Sequence, residues 1–356
     1  MKKSVGSAIT LSSIITVIAT VLAVVCMKFI LQIMQTPNNI FNDAYDCIVI
    51  ISYGIFAQVL YNLLSCLLRA LGNSKVPLYF LIVAAILNIF LDLIFIIYLN
   101  SGVKGAAYAT IISQFISALL CIVYIIKCVP LLHISKDDLI LDKEISYKQL
   151  KVGIPMAIQY SITAIGSAIL QSSLNLLGSL YITAYTTASK IDQIVMQAYV
   201  ALGVTMATFC AQNAGARDIT RVKEGFKWGT VIGIVYSVVF GFILYFYGHN
   251  LTILFISEDL QSVISLVSEY LKTLVLFLIP LTIVNVYRNG IQGLEYSFLP
   301  TLAGVAELFG RGLAGILSPI YHSYFIICLG GSLAWIFAGS LLLFAFYKII
   351  KGLQYN

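Results

Sequence analysis

The sequence predicts an all-α, polytopic membrane protein, with about ten transmembrane helices in two pseudo-symmetric bundles of four and six. Three observations predict it. The 356 residues are 60% hydrophobic and only 10% charged, with a mean hydropathy of +0.97, whereas a soluble domain carries about 25% charged residues. Too few polar groups remain to cover a water-facing surface, and helices satisfy every backbone group internally in lipid. Apolar runs of about twenty residues recur along the chain. Lys and Arg alternate between successive connections.

The first apolar run, 8–34, follows Met1, Lys2 and Lys3 but is long enough to span rather than be cleaved as a signal peptide. Spans follow at 40–67, 76–99 and 103–127. The stretch "GVKGAAYAT" at 102–110 places small residues on one face, which suits close helix packing. Next comes "KCVPLLHISKDDLILDKEISYKQLKVG", 127–153, the only long and charge-rich connection. It reads as a cytoplasmic linker, dividing the chain into an N-terminal lobe (1–127), a linker (128–151) and a C-terminal lobe (152–356). Six further spans follow at 152–178, 182–213, 228–250, 262–288, 298–320 and 325–347. "QNAGAR" at 212–217 supplies Gly and Arg for a helix C-cap.

Sixteen of the 21 Lys and Arg, Arg288 among them, fall in one set of connections, and only Lys104 falls in the alternate set. The positive-inside rule then places both termini in the cytoplasm of a cell with this chain in its inner (plasma) membrane. The net charge of +6 is this bias and no nucleic-acid patch. The seven cysteines form no C-x-x-C pair, and the three histidines lack metal-ligand spacing.

An internal repeat crosses the linker. "RALGNSKVP" before the third span parallels "RNGIQGLEYSFLP" before the ninth. Aligning Pro77 with Pro300 sets Asn88 opposite Arg311 and pairs spans 1–4 with 7–10. Spans 5 and 6 then lack counterparts, as in a six-plus-six design missing its first two helices. Equal parity makes the repeat parallel, about an axis along the membrane normal.

Taken in order, "LLRALGNSKVP", "NIFLDLIFI", "GVKGAAYATIISQ", "VGIPMAIQYS", "AYTTASKID", "CAQNAGARDITRVKEG" and "GVAELFGRGL" resemble the multidrug and toxic compound extrusion (MATE) exporters over essentially the whole chain. The resemblance implies two helical lobes, a cleft opening alternately to each side, and export of cationic amphipathic compounds against inward Na⁺ or H⁺ flow. It implies no other cofactor. The sequence departs from the family in two places. The helix that often carries a coupling aspartate is the first of the missing pair. The helix over 152–178 has no glutamate, and its nearest polar groups are Gln159 and Tyr160.

Ionisable residues inside spans are candidate sites, since each costs about 2.5–3.5 kcal/mol at a helix centre. Asp92 lies roughly 24 Å into its helix, with Asn88 one turn earlier on the same face. They form a candidate cation or proton site, with Na⁺ near Asp92 or Asp192, or they bond structurally to Thr110, Ser113 or Gln114. Glu307 and Arg311, at i and i+4, are expected to form an ion pair, either structural or opened by an arriving cation. Lys190 and Asp192 sit near a midplane on different sides of one helix. Asp192 could meet a substrate cation, and Lys190 could act as its internal counter-ion. Asp46 and Glu269 are expected to snorkel outward. Tyr53, Phe56, Tyr160 and Tyr185 could offer π-faces to a cation.

The expected function is therefore cation-coupled export of amphipathic, often cationic, drugs or toxic metabolites by a monomer in the bilayer. A transport-incompetent fragment and a lipid-linked-sugar flippase are the alternatives. An enzyme is not expected, because no H-E-x-x-H or G-x-S-x-G motif occurs.

Overall fold

The computed structural model describes residues 2–33, 38–254 and 261–354. The expected end of the first span, Met34, lies outside them. The described residues form eleven α-helices: α1 (Lys2–Ile33), α2 (Asn38–Ala70), α3 (Lys75–Leu93), α4 (Gly102–Cys128), α5 (Lys143–Leu177), α6 (Ser179–Gly215), α7 (Ile219–Ile253), α8 (Gln261–Val275), α9 (Leu278–Gly293), α10 (Phe298–Tyr321) and α11 (Tyr324–Gln354). They divide into two compact units, Met1–Gln149 and Leu150–Asn356.

Ten spans were expected. Among the described residues eight helices are long and apolar enough to cross a membrane, or nine if α8 and α9 count as one bent span. The expected unbroken helix over 262–288 bends by 54° between α8 and α9. Pro280 explains the break: it has no N–H, and its ring clashes with the carbonyl four residues back, at Leu276. The remaining difference is α10. It is helical as expected but is not apolar enough to count, because it carries Glu307, Arg311 and four glycines.

In the first unit α1 packs on α2, α2 on α4, and α3 on α4. Tyr61, Leu64, Leu68, Ala118, Cys121 and Ile125 form its core, closed by Leu132 of the linker. The linker is folded back on α1 and not left loose. Two short 3₁₀ turns cover Pro130–Leu132 and Lys136–Leu139. Thr10 Oγ1 donates to the Leu139 carbonyl at 2.8 Å, and Gln149 Nε2 to the Ser4 carbonyl at 2.9 Å. Asp142 Oδ1 accepts from the Glu144 and Ile145 amides, which starts α5 well before residue 152.

The second unit repeats the first unit's pairings: α7 packs on α8 and α9, α9 on α11, and α10 on α11. The turn before each Pro-containing helix repeats as well. Gly72 (φ +86°) and Glu295 (φ +67°) both adopt the left-handed conformation. The bonds Gly72 N to Arg69 O and Asn73 N to Leu68 O recur as Glu295 N to Gln292 O and Tyr296 N to Ile291 O. This is the Schellman closure of a helix end. The α6–α7 connection uses it too, with Arg217 (φ +59°) and not the expected Gly215 in the left-handed position. Helices α5 and α10 run parallel, tied by Thr301 Oγ1 to Pro155 O at 2.9 Å and by Ser173 Oγ to Gly315 O at 2.7 Å. The bend before α9 is pinned by Ser237, whose hydroxyl contacts Leu278 O, Thr282 Oγ1 and the Tyr199 phenol.

Candidate functional site

Three helices of the second unit each present polar residues at a spacing of four, so each set shares a helix face. On α5 they are Gln159, Thr163 and Ser167, on α9 Arg288 and Gln292, and on α10 Glu307 and Arg311. The faces meet as a ladder. Gln292 Nε2 donates to Gln159 Oε1 at 2.9 Å, with Gln159 only 1% exposed. One turn on, Arg288 Nη2 donates to Glu307 Oε1 in a charge-assisted bond, and Thr163 Oγ1 donates to Glu307 Oε2 at 3.2 Å. The next rung is Arg311, whose Nη1 donates to Thr163 O at 2.9 Å and to Ser167 Oγ at 3.3 Å.

The expected Glu307–Arg311 pair is therefore not formed. Glu307 is 2% exposed, and its oxygens point across to α9 and α5. A pair along one helix would leave the charges on the helix surface, whereas the cross-helix pair removes both from lipid and water. Arg288, counted above among the loop cations, lies inside α9 as the acid's partner. Arg288, Gln292, Thr163 and Ser167 were missed in the sequence, although their four-residue spacing was a readable signal. Tyr160 is 64% exposed and does not share Gln159's contacts.

Asp192, on α6, lies beside a cluster of phenols. Tyr270 donates to Asp192 Oδ2 at 3.4 Å, and Tyr185 packs edge-on against Tyr270 with ring centres 5.5 Å apart. Oδ1 of Asp192 is buried without a hydrogen-bond partner among the described residues. Lys190 is exposed on another side of α6, so it is no close counter-ion of Asp192. In the first unit Asn88 Nδ2 and Asp92 Oδ1 are likewise buried and unpartnered among the described residues. Thr110 and Ser113 bond carbonyls of their own helix and do not reach them. Directly after Asp92, α3 widens into a π-helical turn, Ile94–Tyr98, a distortion frequent at functional positions. Asp46, expected to snorkel, pairs with Lys104 at 2.6 Å. Lys28 and Lys272 lie over the Tyr45 and Tyr245 rings, 5.0 and 5.9 Å from the ring centres.

Comparison with known proteins gives this arrangement its context. The profile of the MatE family matches residues 1–94 and 155–310. The chain is 29% identical over 266 residues to the probable multidrug resistance protein YoeA of Bacillus subtilis, covering 73% of this chain and 58% of that protein. It is 30% identical over 270 residues to the probable multidrug resistance protein YpnP of the same organism, covering 74% and 58%. The chain thus spans under two thirds of the length of either relative. Its fold matches the crystal structure of MATE in complex with MaL6 with a TM-score of 0.92 at 20% identity, covering 99% of this chain and 80% of that one. With the profile matched over more than half its length, the chain belongs to the MatE family.

Proposed function

We propose that the chain exports amphipathic, often cationic, compounds by alternating access, coupled to an inward Na⁺ or H⁺ gradient. The observation that carries this reading is the set of buried carboxylate oxygens left unpartnered among the described residues, Asp92 Oδ1 in the first unit and Asp192 Oδ1 in the second. A carboxylate in a membrane span costs several kcal/mol unless something neutralises it. A coupling cation or a proton does so reversibly. Asn88 adds a neutral ligand beside Asp92. Tyr185 and Tyr270 add π-faces and a phenol beside Asp192, where the positive end of a substrate is held. The Gln159–Gln292 and Glu307–Arg288 rungs hold α5, α9 and α10 in register.

Two bundles on either side of the 128–151 linker move as lobes in this reading. Both termini lie in the cytoplasm, and a monomer is the working unit in the cell membrane. The test is ethidium accumulation in cells or proteoliposomes carrying this chain, with and without an imposed Na⁺ or H⁺ gradient. Gradient-dependent extrusion that is lost in Asp92→Asn and in Asp192→Asn supports the reading. Accumulation that ignores the gradient overturns it.

A further inference from the structure

We propose that Arg311, with Ser167 beside it, is a receiving point for an acidic group on an amphipathic guest. The guest class of the second unit then includes carboxylates as well as cations. This deepens the export reading and rests on it only for the guest's eventual transport.

The argument begins with the charges of the ladder. Glu307 is the one carboxylate among its residues, and Arg288 holds it. Arg311 is then a full positive charge inside a helix, with no carboxylate within ion-pair distance among the described residues. Asp192 accepts from Tyr270 and forms no ion pair with Arg311 among the described residues. A guanidinium carries five N–H donors in a planar fork. Only Nη1 of Arg311 has acceptors among the described residues, the Thr163 carbonyl and the Ser167 hydroxyl. Those two contacts fix the plane of the group and leave Nε and Nη2 without partners. This is the edge that binds a carboxylate through two parallel hydrogen bonds. The side chain is half-buried, so that edge is not sealed in the core.

A charge-assisted pair of this kind contributes about 1.5–3 kcal/mol, or roughly a tenfold to hundredfold gain in affinity. The probes are dansylglycine, an aromatic carboxylate, and dansylglycinamide, its neutral counterpart of nearly the same shape. Fluorescence titration of the purified full chain in detergent micelles is expected to show the acid binding about tenfold tighter than the amide. Arg311→Gln is expected to abolish that preference and leave amide affinity within about twofold. Arg311→Lys keeps the charge without the fork, and is expected to retain part of the preference if Arg311→Gln does not fold. Equal binding of acid and amide by the native chain overturns the proposal. So does binding of neither, or an undiminished preference in Arg311→Gln. Binding that follows the prediction, without gradient-driven uptake of the acid in proteoliposomes, sinks the export reading and leaves the anion site standing.

Discussion

Glu307 bonds Arg288, nineteen residues away on the neighbouring helix, and turns away from Arg311 one turn along its own. The pair is buried, so removing one partner strands a charge. Arg288→Met or Glu307→Leu alone is expected to cost about 3–5 kcal/mol, and the double substitution far less than the sum. Arg311→Gln is expected to cost well under half of either single change. Thermal unfolding in detergent measures all four. Equal damage from Arg288→Met and Arg311→Gln would show that the pairing is misassigned.

The close approach of α10 to α11 gives a matched comparison within a single turn. A Cβ at Gly310 would stand 2.7 Å from the Ala334 backbone nitrogen, whereas one at Gly312 would meet nothing within 4 Å. Backbone cannot move aside as a flexible side chain can. Gly310→Ala is therefore expected to destabilise by about 1–3 kcal/mol, as overpacking does. Gly312→Ala is expected to be neutral or slightly stabilising, because Ala favours helix over Gly. The two variants are compared by melting temperature; a Gly312→Ala protein that melts lower than Gly310→Ala would contradict the packing.

The helices and the repeat were legible because both rest on local signals. Apolar runs mark spans whatever their partners, and the Pro77–Pro300 alignment brings into register two turns whose closing hydrogen bonds the structure repeats. Partner choice was less legible. Glu307 has a basic residue one turn away in sequence and another nineteen residues back, and only the packing of α9 against α10 decides between them. The bend at Phe277 was written in Pro280, yet the run remains apolar on both sides and reads as one span. Lys104 and Asp46 are 58 residues apart, a pairing that no spacing rule on a single helix reaches.

The left-handed turn before α3 and its repeat before α10 differ in residue, and the difference is testable. Gly72 adopts φ +86° at little cost, whereas Glu295 adopts φ +67° with a Cβ to accommodate. The left-handed conformation costs a non-glycine residue about 1–2 kcal/mol. A Cβ at Gly72 would touch nothing within 4 Å, so Gly72→Ala isolates the backbone term and is expected to destabilise by about 1 kcal/mol. Glu295→Gly is expected to stabilise by about the same amount. Melting temperatures moving in the same direction for both variants would refute the assignment of these turns.

The linker strap gives a pH prediction whose sign follows from Asp138. Its carboxylate accepts hydrogen bonds from the Ser135 amide at 2.9 Å and the Ser135 hydroxyl at 2.7 Å. These bonds, with Lys2 and Lys3 nearby, hold its pKa below the ordinary value of 3.8. A depressed folded-state pKa means the contribution is present above the unfolded value and fades as pH falls through the folded one. The 3₁₀ turn at Lys136–Leu139, and with it the Thr10–Leu139 contact, is therefore expected to stay closed at neutral pH and to loosen only below about pH 4. Hydrogen exchange across 130–142 reads this directly. Asp138→Asn is expected to exchange faster already at pH 7, with no further loosening of the strap in acid. Protection that falls between pH 7 and pH 5 in the unaltered chain would assign the strap's closure to some other group.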